Sequence, residues 1–205
     1  MQATINAHHY IEYLGVQALK STHPEIRKIK RKQQGHSAHG NKNWRSSFVL
    51  MDYLSTYPPK SACQVLDIGC GWGLSAIFMA KRFQAQVTGI DIDDSVAPYL
   101  SLQAEVNNCD IQFQKRSFES FKTAELTHFD YLIGADICFW DEMTQPLLNL
   151  ITRARKAGVN TILIADPGRP PFWELVDLCA RKFKSDVVTR RLEAPWRTEK
   201  YILVI

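Results

Sequence analysis

The stretch VLDIGCGWG at residues 65–73 decides the fold of this chain. An apolar run leads to the acidic Asp67, and alternating glycines then let the backbone bend sharply and approach a ligand closely. An apolar helical pattern follows, and a second apolar run, VTGID at residues 87–91, ends in the carboxylate of Asp91. A carboxylate in that place can accept hydrogen bonds from two ribose hydroxyls. The segment therefore predicts a strand, a glycine turn, a helix and a strand that together bind a nucleoside.

The form of the glycine turn indicates which nucleoside. Dinucleotide sites carry G-x-G-x-x-G, which seats a pyrophosphate on bare backbone N–H groups. Here the turn is D-x-G-x-G-x-G, and the carboxylate of Asp67 would repel a pyrophosphate but attract a cationic amino group. The turn resembles the first motif of the class I S-adenosylmethionine (SAM)-dependent methyltransferases, and Asp91 is similar to their ribose-binding acid. A turn that only packs a helix against a strand would explain Gly69 and Gly73 but not both acids.

Length and composition limit what the chain can be. Its 205 residues, 45% of them hydrophobic, are enough for one substantial core and predict one domain with an N-terminal extension. The net charge of +4 only weakly indicates an acidic partner. Five cysteines without a C-x-x-C pair suggest neither a disulfide framework nor a zinc cluster. Neither a signal peptide nor a membrane span is recognisable, so we expect a cytoplasmic protein, monomeric or weakly dimeric, that does not act on membranes.

The N-terminal segment, residues 1–43, is predicted to be a helical arm followed by a loop. Residues 10–19 carry apolar side chains at helical spacing, and Pro24 opens a second segment that runs into the basic stretch 27–32. A solvated helix face explains this stretch better than a contact with nucleic acid or an acidic protein, although both stay open. The arm could also form a lid over the methyltransferase domain predicted for residues 44–205.

Two histidines, His36 and His39, lie in the loop predicted for residues 33–43. A pair three positions apart can contribute to a metal site, but the sequence nearby offers no third or fourth ligand. Surface loops commonly carry histidines, so we predict no metal site.

From Trp44 onward, predicted strands and helices alternate, which is typical of a parallel sheet covered by helices on both faces. The predicted strands are residues 64–68, 86–91, 111–115, 129–133, 160–165, 186–190 and 200–205. The predicted helices are residues 48–53, 74–82, 97–107, 144–156, which Gly158 would cap, and 170–183. The resemblance to class I methyltransferases extends from about Trp44 to Ile205. It implies a Rossmann-like, doubly wound α/β fold whose seven-stranded sheet is mostly parallel with an antiparallel last strand.

In doubly wound sheets, ligands bind outside the carboxyl ends of the strands, so the residues that follow each strand are candidates for the site. Ser117 and Phe118 come after the third strand. The resemblance implies that a polar side chain here reaches the adenine amino group while its neighbour packs on the ring, although Ser117 departs from the commoner acid. The residues that we predict to bind SAM, whose product is S-adenosylhomocysteine, are Trp44, Asp67, Gly69, Cys70, Gly71, Gly73, Asp91, Ile92, Ser117, Phe118 and Ala135.

The stretch GADICFW, residues 134–140, places an acid and two aromatic residues at the mouth of this site. Methyl transfer is an in-line displacement that depends mainly on how the nucleophile is positioned. The carboxylate of Asp136 can orient an incoming amine, and the rings of Phe139 and Trp140 can face the positive charge. Alternatively, Asp136 caps the next helix and both aromatic residues belong to the core. We predict that Asp136 and Phe139 are the catalytic residues.

Short matches also resemble the seven-strand protein-lysine methyltransferases, the group that includes the electron transfer flavoprotein beta-subunit lysine methyltransferase. They are DICF at 136–139, which fits D-x-x-[YF], DID at 91–93, Trp44 before the first motif, and DPGR at 166–169. The resemblance implies a SAM-dependent N-methyltransferase whose leading acceptor is a protein lysine. A methyltransferase for a small-molecule amine or hydroxyl is the runner-up, and a non-catalytic SAM-binding scaffold is the third possibility.

The same loop disfavours nucleic-acid acceptors. Enzymes that methylate adenine amino groups usually carry [DN]-P-P-[YF] here, so that a flipped base stacks on the ring, and residues 135–138 lack these prolines. Pyrimidine carbon-5 enzymes need a nucleophilic cysteine, usually preceded by proline, and every cysteine here lacks this neighbour. Cys138 is therefore predicted to be a small buried hydrophobic residue.

Overall fold

The described part of the chain forms two β-sheets, a three-stranded sheet near the N-terminus and a seven-stranded sheet built from residue 64 onward. The computed structural model describes residues 4–6, 9–33, 42–193 and 196–205. The strands are β1 (Thr4–Asn6), β2 (Tyr10–Tyr13), β3 (Val16–Leu19), β4 (Gln64–Ile68), β5 (Gln86–Asp91), β6 (Gln112–Lys115), β7 (Tyr131–Ala135), β8 (Thr161–Asp166), β9 (Asp186–Leu192) and β10 (Thr198–Val204). The helices are α1 (Pro24–Lys32), α2 (Arg45–Thr56), α3 (Leu74–Phe83), α4 (Ala97–Val106), α5 (Thr123–Leu126), α6 (Thr144–Ala157) and α7 (Pro170–Ala180).

The large sheet has the order β6-β5-β4-β7-β8-β10-β9. Strands β4 to β8 pair in parallel, and β10 is antiparallel to both of its neighbours. The predicted doubly wound sheet of seven strands with an antiparallel last strand is therefore confirmed. After β4 the chain builds outward through β5 and β6, then returns to place β7 on the other side of β4. The order thus reverses between β4 and β7, where a doubly wound fold has its ligand crevice.

The sheet is apolar on both faces because successive residues of a strand point to opposite sides. Val65 belongs to one hydrophobic core and its neighbour Leu66 to the other. Strand β8 repeats this division, with Leu163 in the first core and Ile162 in the second. Helices must therefore cover both faces, and the ligand crevice is left at the strand ends.

Residues 10–19 form a β-hairpin, so the helix predicted there is wrong. Leu14 and Gly15 connect β2 to β3 with φ angles of +50° and +82°, which is the geometry of a two-residue type I′ turn. Tyr13 and Val16 pair across this turn and pack into the same core as the large sheet. Burial against that core outweighs the local helical spacing. The predicted segment from Pro24 is helical, as α1.

Side-chain amides in the last turn of α4 and at the residue that follows it hold the hairpin in place. Gln103 accepts from the Leu19 N–H and donates to the Leu19 carbonyl, at 2.9 and 3.1 Å. Asn107 does the same for Gln17, at 2.9 and 2.8 Å. Asn43 also donates to the Leu19 carbonyl at 2.7 Å, which brings the chain before α2 to the crevice. The loop predicted for residues 33–43 falls mostly on residues 34–41, which with His36 and His39 lie outside the described residues.

Element bounds differ from the predictions by a few residues. Strand β7 begins at Tyr131, and the carboxylate of the preceding Asp130 accepts from the Gln64 N–H at 2.8 Å. Helix α6 ends at Gly158, whose φ of +92° confirms the predicted glycine cap. Within the described residues, helices long and apolar enough to cross a membrane are absent.

Candidate active site

A cavity of about 280 Å³ opens at the carboxyl ends of β4, β5, β6 and β7. All of the residues predicted from the sequence to form the site line it, namely Trp44, Asp67, Gly69, Cys70, Gly71, Gly73, Asp91, Ile92, Ser117, Phe118, Ala135, Asp136 and Phe139. The fold therefore brings the predicted set together, while the role of each residue stays a prediction. Asn43, Ser75 and Met143 also line the cavity and carry no recognisable motif.

The glycine turn combines tight packing with an open surface. Gly69, Gly71 and Gly73 have φ angles of +61°, +51° and +75°, where side chains are strained. A Cβ at Gly69 would lie 2.7 Å from Ile137 Cγ2, and one at Gly73 would lie 2.9 Å from Leu100 Cγ. A Cβ at Gly71 would meet nothing within 4 Å. Gly69 and Gly73 therefore serve the fold, and Gly71 leaves bare backbone facing the cavity.

The turn fixes the carboxylate at the end of β5. Asp91 Oδ2 accepts from the Gly71 N–H at 3.1 Å, and Oδ1 accepts from the Asp93 N–H at 3.0 Å. Burial raises the pKa of Asp91, and these two hydrogen bonds oppose that shift. Each carboxylate oxygen keeps a second lone pair. Asp91 is thus oriented to accept from two neighbouring hydroxyls.

Asp67 is buried at the end of β4, beneath the glycine turn. Burial, reinforced by the negative charge of Asp91, raises the pKa of the Asp67 carboxyl to about 8. Near pH 7 this carboxyl is therefore mostly protonated in the absence of a nearby cation. A cationic ligand group beside it would favour the ionised form. These residues fit SAM, because its methionine amino group is such a cation and its ribose offers two hydroxyls.

Asp136 adopts a left-handed backbone conformation, with φ at +56°, and its side chain is only 3% exposed. Its Oδ2 accepts from the Ser46 N–H at 3.0 Å, and Oδ1 accepts from Arg169 Nη2 at 3.1 Å. Ser46 lies in the first turn of α2, whose N-cap residue Trp44 makes no side-chain capping bond. Asp136 therefore caps a helix, but it is α2, which precedes it in the chain, and not the helix that follows.

Arg169 connects the turn after β8 to Asp136. Its Nη1 donates to Asp166 Oδ2 at 2.6 Å, and Asp166 Oδ1 accepts from the Gly168 and Arg169 N–H groups at 2.9 Å each. The guanidinium carbon lies 4.1 Å from the ring centroid of Phe139. Arg169 thus touches both residues predicted to be catalytic. The sequence analysis assigned Arg169 no role in the site. The one signal for it in the sequence is the DPGR match at residues 166–169.

Aromatic side chains form the rim on the same side. The ring of Phe139 lies 5.2 Å from that of Trp44 and 5.8 Å from that of Trp140, between centroids. Trp140 is 50% exposed. The alternative that both aromatic residues after Asp136 belong to the core is therefore wrong for Trp140. Phe139 is half-buried and lines the cavity.

Ser117, Phe118 and Cys138 each have defined surroundings in the structure. Ser117 Oγ accepts from the Glu119 N–H at 3.3 Å and caps a short 3₁₀ turn, so this side chain already has a local partner. Phe118 is almost fully buried and forms part of the cavity wall. Cys138 is fully buried, and burial raises the pKa of its thiol, which agrees with the predicted hydrophobic role and not with a nucleophile.

The sheet order and the glycine turn with its two acids are typical of a class I methyltransferase domain. Residues 65–158 match the family model described as a methyltransferase domain. Among curated relatives, the ubiquinone biosynthesis O-methyltransferase of Neisseria meningitidis is 36% identical over 83 residues, 40% of this chain and 35% of that protein. The electron transfer flavoprotein beta subunit lysine methyltransferase of Danio rerio is 28% identical over 130 residues, 63% of this chain and 50% of that protein. The chain thus spans about a third to a half of these relatives.

Solved structures share the fold. The ribosomal protein L11 methylase of Lactobacillus delbrueckii superposes with a TM-score of 0.59 at 17% identity, covering 84% of this chain and 90% of that one. The tRNA (uracil-54, C5)-methyltransferase of Pyrococcus abyssi, in complex with S-adenosylhomocysteine, gives a TM-score of 0.57 at 18% identity, covering 80% and 38%. Residues 65–158 therefore carry a methyltransferase domain, and the acids and the glycine turn of its cavity fit SAM as the cofactor.

Proposed function

We propose that the protein is an N-methyltransferase that acts on a lysine side chain of another protein. One observation carries the proposal. Arg169 joins the turn after β8 to Asp136 and Phe139, at 3.1 Å from the carboxylate and 4.1 Å from the ring. The segments 136–139 and 166–169, which resemble protein-lysine methyltransferases, therefore form one contact network at the cavity.

The chemistry asked of these residues is mainly positioning. SAM supplies a methyl carbon bound to a sulfonium, and an amine lone pair must approach it in line. In our proposal the free lone pairs of Asp136 accept a hydrogen bond from the lysine nitrogen, while Phe139 and Trp44 border its path. The Arg169 guanidinium, which Asp136 shares with Asp166, offsets part of the cost of burying the Asp136 carboxylate.

The exposed rim favours a polypeptide acceptor over a small one. Trp140 is 50% exposed and lines the cavity. Exposed apolar surface beside a cavity is typical of a site that receives a macromolecule. The relative from Danio rerio, matched over 63% of this chain, is by its name a lysine methyltransferase, which supports the same choice.

A small-molecule N- or O-methyltransferase is the second candidate. The match to ubiquinone biosynthesis O-methyltransferases, 36% identical over 83 residues, favours it. That match covers 40% of the chain, whereas the lysine methyltransferase match covers 63%. We place the lysine acceptor first for this reason.

The proposal is tested by transfer of labelled methyl from SAM into a lysate that lacks this protein, separated into protein, nucleic-acid and small-molecule fractions. Asp136→Asn serves as the impaired variant, and Glu142→Gln, an exposed acid that follows the same loop, serves as its matched control. Label that maps to a lysine, and that is lost only with Asp136→Asn, supports the proposal. Label confined to small molecules would favour the second candidate, and label in nucleic acid would contradict both.

A further inference from the structure

Arg169 stands between two buried carboxylates. Its Nη2 donates to Asp136 at 3.1 Å and its Nη1 to Asp166 at 2.6 Å, and the side chains of these acids are 3% and 0% exposed. Arg169 itself is 22% exposed. A planar guanidinium with donors in a fixed fork can hold two carboxylates at once in a defined relation, which an ammonium on a flexible stem cannot do.

The turn that carries Arg169 is itself rigid. Asp166 accepts from the N–H groups of Gly168 and Arg169, and Gly168 has a φ of +93°. A Cβ at Gly168 would lie 2.8 Å from the ring of Tyr201, so this position admits only glycine without a shift. Pro170 then begins α7 directly after Arg169. The guanidinium is therefore held in place before any ligand arrives.

The partners of Asp136 differ in kind. Ser46 contributes a backbone N–H that every side chain at that position would supply, whereas the bond to Oδ1 comes from the Arg169 side chain. The guanidinium also lies against the ring of Phe139, at 4.1 Å from its centroid. Loss of the guanidinium would leave the Asp136 carboxylate with only the Ser46 bond and would remove one contact from the Phe139 ring.

We propose that Arg169 is a positioning residue for methyl transfer, which fixes the Asp136 carboxylate and the Phe139 ring for the acceptor nitrogen. This rests on the proposed function of Asp136. Arg169 does not line the cavity, so it acts through these two neighbours. Asp136 after β7 and Asp166 at the end of β8 contact it, and Lys200 on β10, which itself faces Arg45, interacts with it electrostatically.

The test compares Arg169→Lys, Asp136→Asn and the double variant, with Arg181→Lys at the exposed end of α7 as the matched control. Arg169→Lys keeps the charge, so the fold should persist, and SAM affinity should stay within about twofold. We expect kcat to fall about 10- to 100-fold, because a small misplacement of a positioning group has effects of this size. The double variant should be no slower than Asp136→Asn alone, since groups that act as a unit are not additive.

Arg169→Ala adds a second measurement. Guanidinium ions at low millimolar concentration should restore part of its kcat, and ammonium ions at equal concentration should not, because only the planar ion can span both carboxylates. Normal turnover by Arg169→Lys, or a double variant slowed by the product of the two single effects, would overturn the proposal. If wild-type protein transfers methyl to a different acceptor, the lysine assignment fails by itself, and the same variants are then compared with that acceptor.

Discussion

The carboxylate of Asp136 accepts a hydrogen bond from the backbone N–H of Ser46 at 3.0 Å, across 90 positions of the chain. This contact ties the end of β7 to the first turn of α2. It also sets Trp44, the residue before that turn, beside Phe139, with ring centroids 5.2 Å apart. The Asp136 carboxylate thus caps α2 and, in our proposal, also orients the acceptor nitrogen.

Substitutions of Asp136 should separate its effect on stability from its effect on methyl transfer. Asp136→Ala removes the cap of α2 and leaves Arg169 without this partner, so we expect a loss of about 1–3 kcal/mol in unfolding free energy. Asp136→Asn keeps a carbonyl oxygen for Ser46 and should lose less than half as much. Both variants should lower methyl transfer by about 100-fold or more, because the charge that orients the acceptor is gone. Chemical denaturation and labelled-methyl transfer check the two effects, and normal turnover by Asp136→Asn would refute the assigned role.

Asp91 should control cofactor affinity. Asp91→Ala removes a carboxylate whose oxygens face the cavity and also releases the Gly71 N–H that it holds at 3.1 Å. We expect SAM to bind about 100-fold more weakly or worse, since two hydrogen bonds to a charged group contribute about 1.5 kcal/mol or more each. Isothermal titration calorimetry measures the change. Asp94→Ala, an exposed acid on the same loop that pairs with Lys115, is the control and should bind SAM normally.

We predict that the Asp67 carboxyl releases a proton when SAM binds. Its pKa is about 8 in the free protein, so the carboxyl is mostly protonated at pH 7. A cationic amino group beside it lowers that pKa, and the carboxyl then loses its proton. The binding enthalpy of SAM is measured by calorimetry at pH 7 in buffers of different ionisation enthalpy. Its dependence on the buffer should correspond to the release of a fraction of one proton. Asp67→Asn should abolish this dependence. Equal enthalpies in all buffers would mean that the cationic group does not reach Asp67.

Sequence patterns predicted the large sheet and missed the hairpin for physical reasons. The bounds predicted for β4 and β5 agree with the structure because an acid and a glycine turn terminate one strand and a second acid terminates the other. Residues 10–19 fit both a helical and a strand pattern, and the deciding contact is with a core formed by distant residues. Local spacing carries no information about such contacts.

In the candidate site, too, the sequence predicts which residues take part but not which of them contact one another. Residues that follow strands could be named in advance because parallel strands present their carboxyl ends at one edge. The pairing of Asp136 with Arg169 joins positions 33 apart and depends on the side-by-side placement of β7 and β8. Similarly, the alternative role that the sequence offers for Asp136 is a cap of the next helix, whereas the helix that it caps is fixed by tertiary packing. Motifs identify such residues, but only the fold shows which of them touch.

Glycine substitutions should distinguish fold from ligand approach. Gly71→Ala places a Cβ in open space at a φ of +51°, so we expect about 1 kcal/mol of strain together with weaker SAM binding, because bare backbone faces the cavity there. Gly158→Ala is the matched control, since Gly158 also has a positive φ, +92°, and open space but lies at the end of α6. It should lose similar stability and bind SAM normally. Equal SAM affinity in both variants would contradict a ligand-facing role for Gly71.

Trp140 should govern acceptor binding and not cofactor binding. Its side chain is 50% exposed on the rim, 5.8 Å from the Phe139 ring, where a docking polypeptide would cover it. For Trp140→Ala we expect KM for the acceptor protein to rise about 5- to 20-fold, since a partly buried aromatic anchor is worth about 1–2 kcal/mol, while kcat and SAM affinity change less than about twofold. Tyr57→Ala, which removes an aromatic side chain 57% exposed at the far end of α2, should leave KM unchanged. A fall in kcat at constant KM would instead place Trp140 in the chemistry, and no effect on either constant would show that the acceptor does not cover this rim.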